Sequence, residues 1–409
     1  MVTIDAERFR DSFETYSAIG ATEQGGLHRL ALTDADRKAR DRFVADLREI
    51  GLDVRIDAIG NVFARRDGTN ADAAPVLIGS HLDTQPRGGR FDGQLGVLAA
   101  LETLRTLEEE DIETERPIEI VDWTNEEGSR FQHAMLGSAV FVGELGLETA
   151  LAMTDADGTR LGDALERIGY DGEHPVRSHD HHAYLELHVE QGPKLAEHGA
   201  SVGVVDGVFG IRWLEATIHG ETDHAGPTPM HARHDAVATA ADAVSEINAL
   251  PNRLSTDAVT TVGRIRAEPD SINVVPDRAE FTIDVRSADD DVVQTAAERV
   301  AAELAAACER HRTTYELDTV WETSVTEFAP ELREAVGDAA ATLDVAHERV
   351  VSGAGHDAKY LSRIMPAGMV FVPSVGGTTH NEAEFTEWDD CVAGANVYAN
   401  AALSLAGDV

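Results

Sequence analysis

Lysine is nearly absent from this chain: Lys38, Lys194 and Lys359 are the only three in 409 residues. With arginine supplying the other cations, 34 basic side chains face 74 acidic ones, for a formal charge of -40. So anionic a chain is repelled by nucleic acid and by anionic membranes, which excludes both as partners. Cysteine is scarcer still, with Cys308 and Cys391 alone. They fall in alanine-rich helical stretches of what read as different domains, so buried free thiols are expected rather than a disulfide. No apolar run approaches the roughly 18 residues of a membrane-spanning helix, and no basic-then-apolar leader opens the chain. A cytoplasmic protein is the expectation. The acid is spread along the whole sequence without a localised patch, which gives no sign of a cationic partner. Self-repulsion of this size suits a salt-rich interior that screens it, so a halophilic protein is expected.

What is present is enough apolar sequence for two or three domains of about 150 residues each. Residues 5 to 50 read as two amphipathic helices around a glycine-bearing loop. Strand-like runs follow at 52 to 57, 61 to 66, 75 to 80 and 117 to 123, with a helix from Leu95 to Leu107 between the last two. This is the βα alternation of a mostly parallel or mixed sheet with helices on both faces. From about 212 the order becomes β-α-β-β-α-β: strands near 212 to 218, 258 to 266, 273 to 286 and 313 to 322, helices at 235 to 250 and 290 to 308. That order is the ferredoxin-like unit. After about 329 the first pattern returns, with a helix at 330 to 342, strands at 348 to 351 and 368 to 373, and a closing helix at 389 to 406. The expectation is an α/β catalytic domain in two segments, 1–211 and 329–409, interrupted by an inserted α+β domain at 212–328.

Chemistry concentrates where the short apolar runs end. Val121-Asp122-Trp123-Thr124-Asn125 leads into Glu126 and Glu127, two adjacent like charges that repel unless a cation sits between them. His81 closes the run that begins at Val76, and Asp92 follows eleven residues later. His188 stands in the alternation Leu185-Glu186-Leu187-His188-Val189, and His380 follows Val370-Phe371-Val372. In an open α/β sheet ligands gather beyond the carboxyl ends of the strands, so these residues point at one crevice. A mixed histidine and carboxylate set suits zinc, manganese, cobalt or nickel better than calcium or magnesium. His174, His179, His181 and His182 form a denser cluster, but with Pro175 and Ser178 around them they read as a solvated loop.

These motifs carry a resemblance. Gly79 to Thr84, Phe91-Asp92-Gly93, Asn125 to Phe131, Glu190-Gln191-Gly192-Pro193, His224-Ala225-Gly226 with Thr228-Pro229-Met230, and Gly353 to Ala358 occur in family order across nearly the whole chain. Together they resemble the amidase, hydantoinase and carbamoylase branch of the two-metal aminoacylase and peptidase superfamily. The resemblance implies two divalent transition-metal ions per subunit. Asp92 would bridge them, with His81 and His188 on one ion and Glu127 and His380 on the other. Glu126 would then be the general base and proton shuttle.

The same resemblance places substrate contacts at Gln191, His224, Asn273, Arg286 and His356. Arg286 offers the two parallel donors that a substrate carboxylate takes; pairing with Asp284 is its structural alternative. His224 would steady the oxyanion, reaching in relatives into the neighbouring subunit, which implies a homodimer built through the inserted domain. His188 followed by Glu190-Gln191-Gly192-Pro193 resembles the carbamoylase branch, whereas the peptidases place an acidic ligand there. The expected activity is hydrolysis of the carbamoyl or ureido C–N bond of a small carboxylated substrate, N-carbamoyl-L-amino acid or allantoate, with ammonia released. The alternative is an aminoacylase or dipeptidase.

Overall fold

Val76–His81 runs parallel to Ile118–Trp123 on one side and to Ala183–Val189 on the other, and Ala367–Val372 continues the parallel set beyond Ala183–Val189. These four fully buried strands are the middle of a nine-stranded mixed sheet. Asp53–Ile56 and Val62–Arg66 extend it antiparallel beyond Ile118–Trp123, and Val202–Val208 lies antiparallel beside Ala367–Val372. The computed structural model describes residues 1–177 and 179–407. Their contacts divide into two compact units, Met1–Gly207 with Glu327–Val409, and Val208–Thr326.

In the first unit the helix Gln94–Glu109 is buried on all sides through Leu107, the pattern of a helix sandwiched between layers. Gly96 lets it lie close to the sheet: a Cβ there would stand 2.1 Å from the Leu187 carbonyl oxygen. Trp388–Ala406 packs on the same strands, and Ala6–Ser17 closes over Gln94–Glu109. Ala6–Ser17 begins where Asp5 accepts the Glu7 and Arg8 N–H groups, satisfying donors that have no partner inside the helix. It buries Phe9, Phe13 and Tyr16 at i, i+4 and i+7.

The second unit has a four-stranded antiparallel sheet in the order Thr314–Thr323, Gly210–His219, Arg278–Ser287, Val259–Glu268. Numbered along the chain that is 4-1-3-2, with Ala236–Ala249 and Asp290–His311 packed together against it. Arg278–Ser287 alternates strictly: Ala279, Phe281, Ile283 and Val285 join the apolar cluster, and Arg278, Glu280, Thr282, Asp284 and Arg286 take the other face.

Two expectations need correction here. The run from Asn273 to Arg286 is not one strand, because Pro276 has no N–H to give a ladder, and Val274–Val275 pairs instead with Asp223–His224. The histidine loop is not uniformly solvated: His181 is buried, and Ser178 lies outside the described residues. Both cysteines are buried and unpaired. Among the described residues no helix is long and apolar enough to cross a membrane.

Candidate active site

The parallel strands deliver their ends to one place. His81 is the last residue of its strand and pairs in register with Trp123, three residues before Glu126. His188 pairs with Phe371 one strand further on. Asp92 enters from the turn that starts Gln94–Glu109, and His380 from the segment after Ala367–Val372.

Around Asp92 the side chains form two groups. Its Oδ1 lies 3.1 Å from His188 Nε2 and 3.7 Å from His81 Nε2. Its Oδ2 lies 3.4 Å from His380 Nε2, which is 3.6 Å from a Glu127 oxygen. Each carboxylate oxygen therefore faces its own set of donors, and all the donor atoms within a set lie within 4.8 Å of one another. Glu126 stands beside the first set, 3.6 Å from His81 Nε2.

The electrostatics call for a cation. Burial, then the charges of Asp357, Glu127, Asp83 and Asp92, pushes the Glu126 carboxyl well above the usual range. Burial, then Asp92 and Asp83, does the same to Glu127, against two hydrogen bonds from Gln85. Burial with the His188 charge brings His81 down to about 4, so it presents a neutral imidazole despite the pull of Asp92. His188 is held up at about 9, its bond to Asp92 outweighing burial. Clustered buried carboxylates and imidazole nitrogens with no lysine or arginine between them fit divalent transition ions, which would relieve the repulsion that raises Glu126 and Glu127.

A layer of partners fixes this geometry, and most of it escaped sequence reasoning. Asp83 accepts the N–H of Glu126 at 3.1 Å and of Glu127 at 3.3 Å, clamping the two carboxylates' backbone. His81 Nδ1 meets the Asp83 carbonyl at 2.9 Å, which leaves Nε2 turned inward. Glu384 accepts from the Phe91 and Asp92 N–H groups at 3.0 and 3.1 Å. The fully buried Arg29 donates to the Leu82 carbonyl and to Gln94, and so holds the backbone between His81 and Asp83. Asp83 and Glu384 had a signal in their spacing from His81 and His380. Arg29 had none, being a lone arginine in an N-terminal loop.

The substrate residues are dispersed. Gln191 sits at the centre in a left-handed conformation with φ 57, its amide donating to Asp92 Oδ2 at 3.1 Å. His356 is buried behind it, its ring 4.5 Å from that of His188 and its Nε2 3.0 Å from the Ser352 hydroxyl. His224 and Asn273 belong to the second unit, joined by the Val274 to His224 pairing and the Ala225 N–H to Asn273 carbonyl bond of 3.0 Å. His224 is exposed there. Arg286 pairs with Asp284 at 2.8 Å on the polar face of its strand.

Comparison with known proteins agrees with this architecture. The sequence model of Peptidase family M20/M25/M40 matches residues 77–404. An N-carbamoyl-L-amino-acid amidohydrolase of Rhizobium meliloti is 42% identical over 403 residues, 98% of this chain and 97% of that one. The allantoate amidohydrolase of Escherichia coli (strain K12) is 31% identical over 401 residues, 98% of each chain. The crystal structure of a hydantoinase/carbamoylase family amidase from Burkholderia multivorans superposes with a TM-score of 0.95 at 44% identity, covering 99% of this chain and 98% of that one.

Proposed function

Because the chain belongs to Peptidase family M20/M25/M40, and within it to the hydantoinase/carbamoylase amidases, we propose that it hydrolyses the carbamoyl or ureido C–N bond of a small carboxylated substrate. N-carbamoyl-L-amino acids and allantoate are the candidates, and ammonia is released. The observation that carries the chemistry is Asp92, whose two oxygens face two separate donor sets.

His81 and His188 would hold one ion, Glu127 and His380 a second, and Asp92 both; zinc, manganese, cobalt and nickel all suit these donors. Such ions supply Lewis-acid polarisation of the carbonyl and a water primed for attack. Glu126 takes the proton of the attacking water and passes it to the leaving nitrogen, a task for which a carboxylate destabilised as an anion is the stronger base. Arg286 binds the substrate carboxylate, exchanging it for Asp284, and Asn273 and Gln191 add neutral donors. His224, exposed on its hairpin, steadies the oxyanion as a contribution to a partner subunit's site. This assigns the Val208–Thr326 unit to homodimerisation. His356 keeps His188 in place from behind.

Ammonia release is the test, in molar salt, with zinc, manganese or cobalt restored to chelated protein. Metal-dependent ammonia from N-carbamoyl-L-amino acids or allantoate supports the reading and selects the substrate. Silence toward both, with acetate released from N-acetyl amino acids, would make the chain an aminoacylase instead.

The net charge of -40 assigns the protein to a salt-rich cytoplasm. Its melting temperature should climb with potassium chloride into the molar range as screening removes self-repulsion. A maximum in salt-free buffer would overturn that assignment.

A further inference from the structure

Glu119 is a buried charge in the interior of the sheet. It belongs to Ile118–Trp123, every residue of which is buried, and is itself 2% exposed. A carboxylate so placed needs partners. Arg55 supplies one at 3.2 Å from Oε1, a cation sufficient to balance the charge. Yet two imidazoles converge on the other oxygen, His181 Nε2 at 2.6 Å and His179 Nε2 at 3.2 Å, with ring centroids 4.7 Å apart.

With Arg55 in place neither ring is required as a cation, and burial lowers the pKa of His181, so its nitrogen faces Oε2 from a neutral ring. Two imidazole nitrogens and a carboxylate oxygen, all within 4.8 Å of one another, make a donor set for a borderline transition ion. Ligand atoms of a tetrahedral site with bonds of about 2.1 Å stand roughly 3.4 Å apart. The His179 to Glu119 separation of 3.2 Å is close to that, and His181, at 2.6 Å, needs to retreat by only a fraction of an ångström. The His179 side chain is 31% exposed, which opens the fourth position to water. Arg55 would orient the carboxylate from outside, the usual task of a group behind a metal ligand.

We propose that Glu119, His179 and His181 form a structural metal site for zinc or a similar ion, distinct from the centre at Asp92. Glu119 lies four residues before the end of its strand, about 13 Å from the crevice at the rise of an extended chain. An ion there pins the loop that ends at His181, two residues ahead of Ala183–Val189, the strand that carries His188.

The test is the zinc bound per chain, by elemental analysis after equilibration with micromolar free zinc, in the wild type, His179→Ala and His179→Gln. Glutamine can still donate to Glu119 but is a poor ligand, which separates a hydrogen-bonding role from a metal role. The wild type should hold one equivalent more than either variant, and zinc should raise its melting temperature by more. Equal zinc in all three, or His179→Gln matching the wild type, would overturn the site. The comparison is a difference between proteins that share the Asp92 centre, so it stands whatever that centre holds.

Discussion

A Cβ placed on Gly93 would lie 2.3 Å from Cε1 of His81, inside the imidazole's own contact distance. The residue after the central carboxylate thus sets the position of a proposed ligand from the neighbouring strand. Gly93 also has φ 65, a left-handed conformation that a side chain disfavours. Gly93→Ala should displace His81 and weaken metal affinity by about 10- to 100-fold, the usual effect of losing ligand support. Metal titration of the variant checks it; unchanged affinity would show that the ring has room to give.

Glu126→Gln removes the proposed base and keeps its shape. We predict that kcat falls by about 10²- to 10⁴-fold, the ordinary share of a general base, while metal content stays at the wild-type value. Loss of metal together with activity would assign Glu126 to ligation instead.

Arg286→Lys keeps the charge and removes the fork. A substrate carboxylate held by two parallel donors should then bind more weakly, raising KM by roughly 10-fold or more with kcat little changed. A fall in kcat at constant KM would place Arg286 outside substrate binding, as a partner of Asp284 alone.

Away from the centre, Asp57 titrates in an informative way. Burial raises its pKa to about 7, against bonds from the Asn61 side chain and the Asn61 and Ile59 N–H groups. Because the folded value lies above the unfolded one, the native state binds the extra proton between about pH 4 and pH 7. The stability this contributes is complete below that window and lost as pH rises through it. Asp57→Asn cannot lose a proton, so its stability relative to the wild type should increase from pH 4 to pH 7.5. Denaturation at both pH values, at fixed salt, measures the difference; a constant difference would mean that Asp57 stays ionised throughout.

Much of the frame is legible because it is periodic or local. The sequence places strands at 75 to 80 and 117 to 123, and the sheet holds Val76–His81 and Ile118–Trp123. Unbroken apolar runs can only be the interior of a sheet covered on both faces. The helix expected at 330 to 342 is Pro330–Thr342, with proline at its first turn, where no N–H is needed. Pro276 was readable as a strand break by the same logic. The candidate ligands were legible for a different reason, since each ends an apolar run and follows a motif whose chemistry has few other uses.

The sequence alone determined the element order, the repulsive Glu126 and Glu127 pair, the anionic surface and the set of residues available to hold metal, because each follows from composition or from neighbours along the chain. Tertiary structure decided which of them meet. Glu384 takes the Asp92 N–H across 292 residues of chain, Glu119 gathers His179 and His181 from a loop that composition marks as solvated, and Arg286 is occupied by Asp284. Such contacts depend on which strands lie side by side and which faces the helices cover, and hydrophobic burial over the whole core settles that before any polar pair forms.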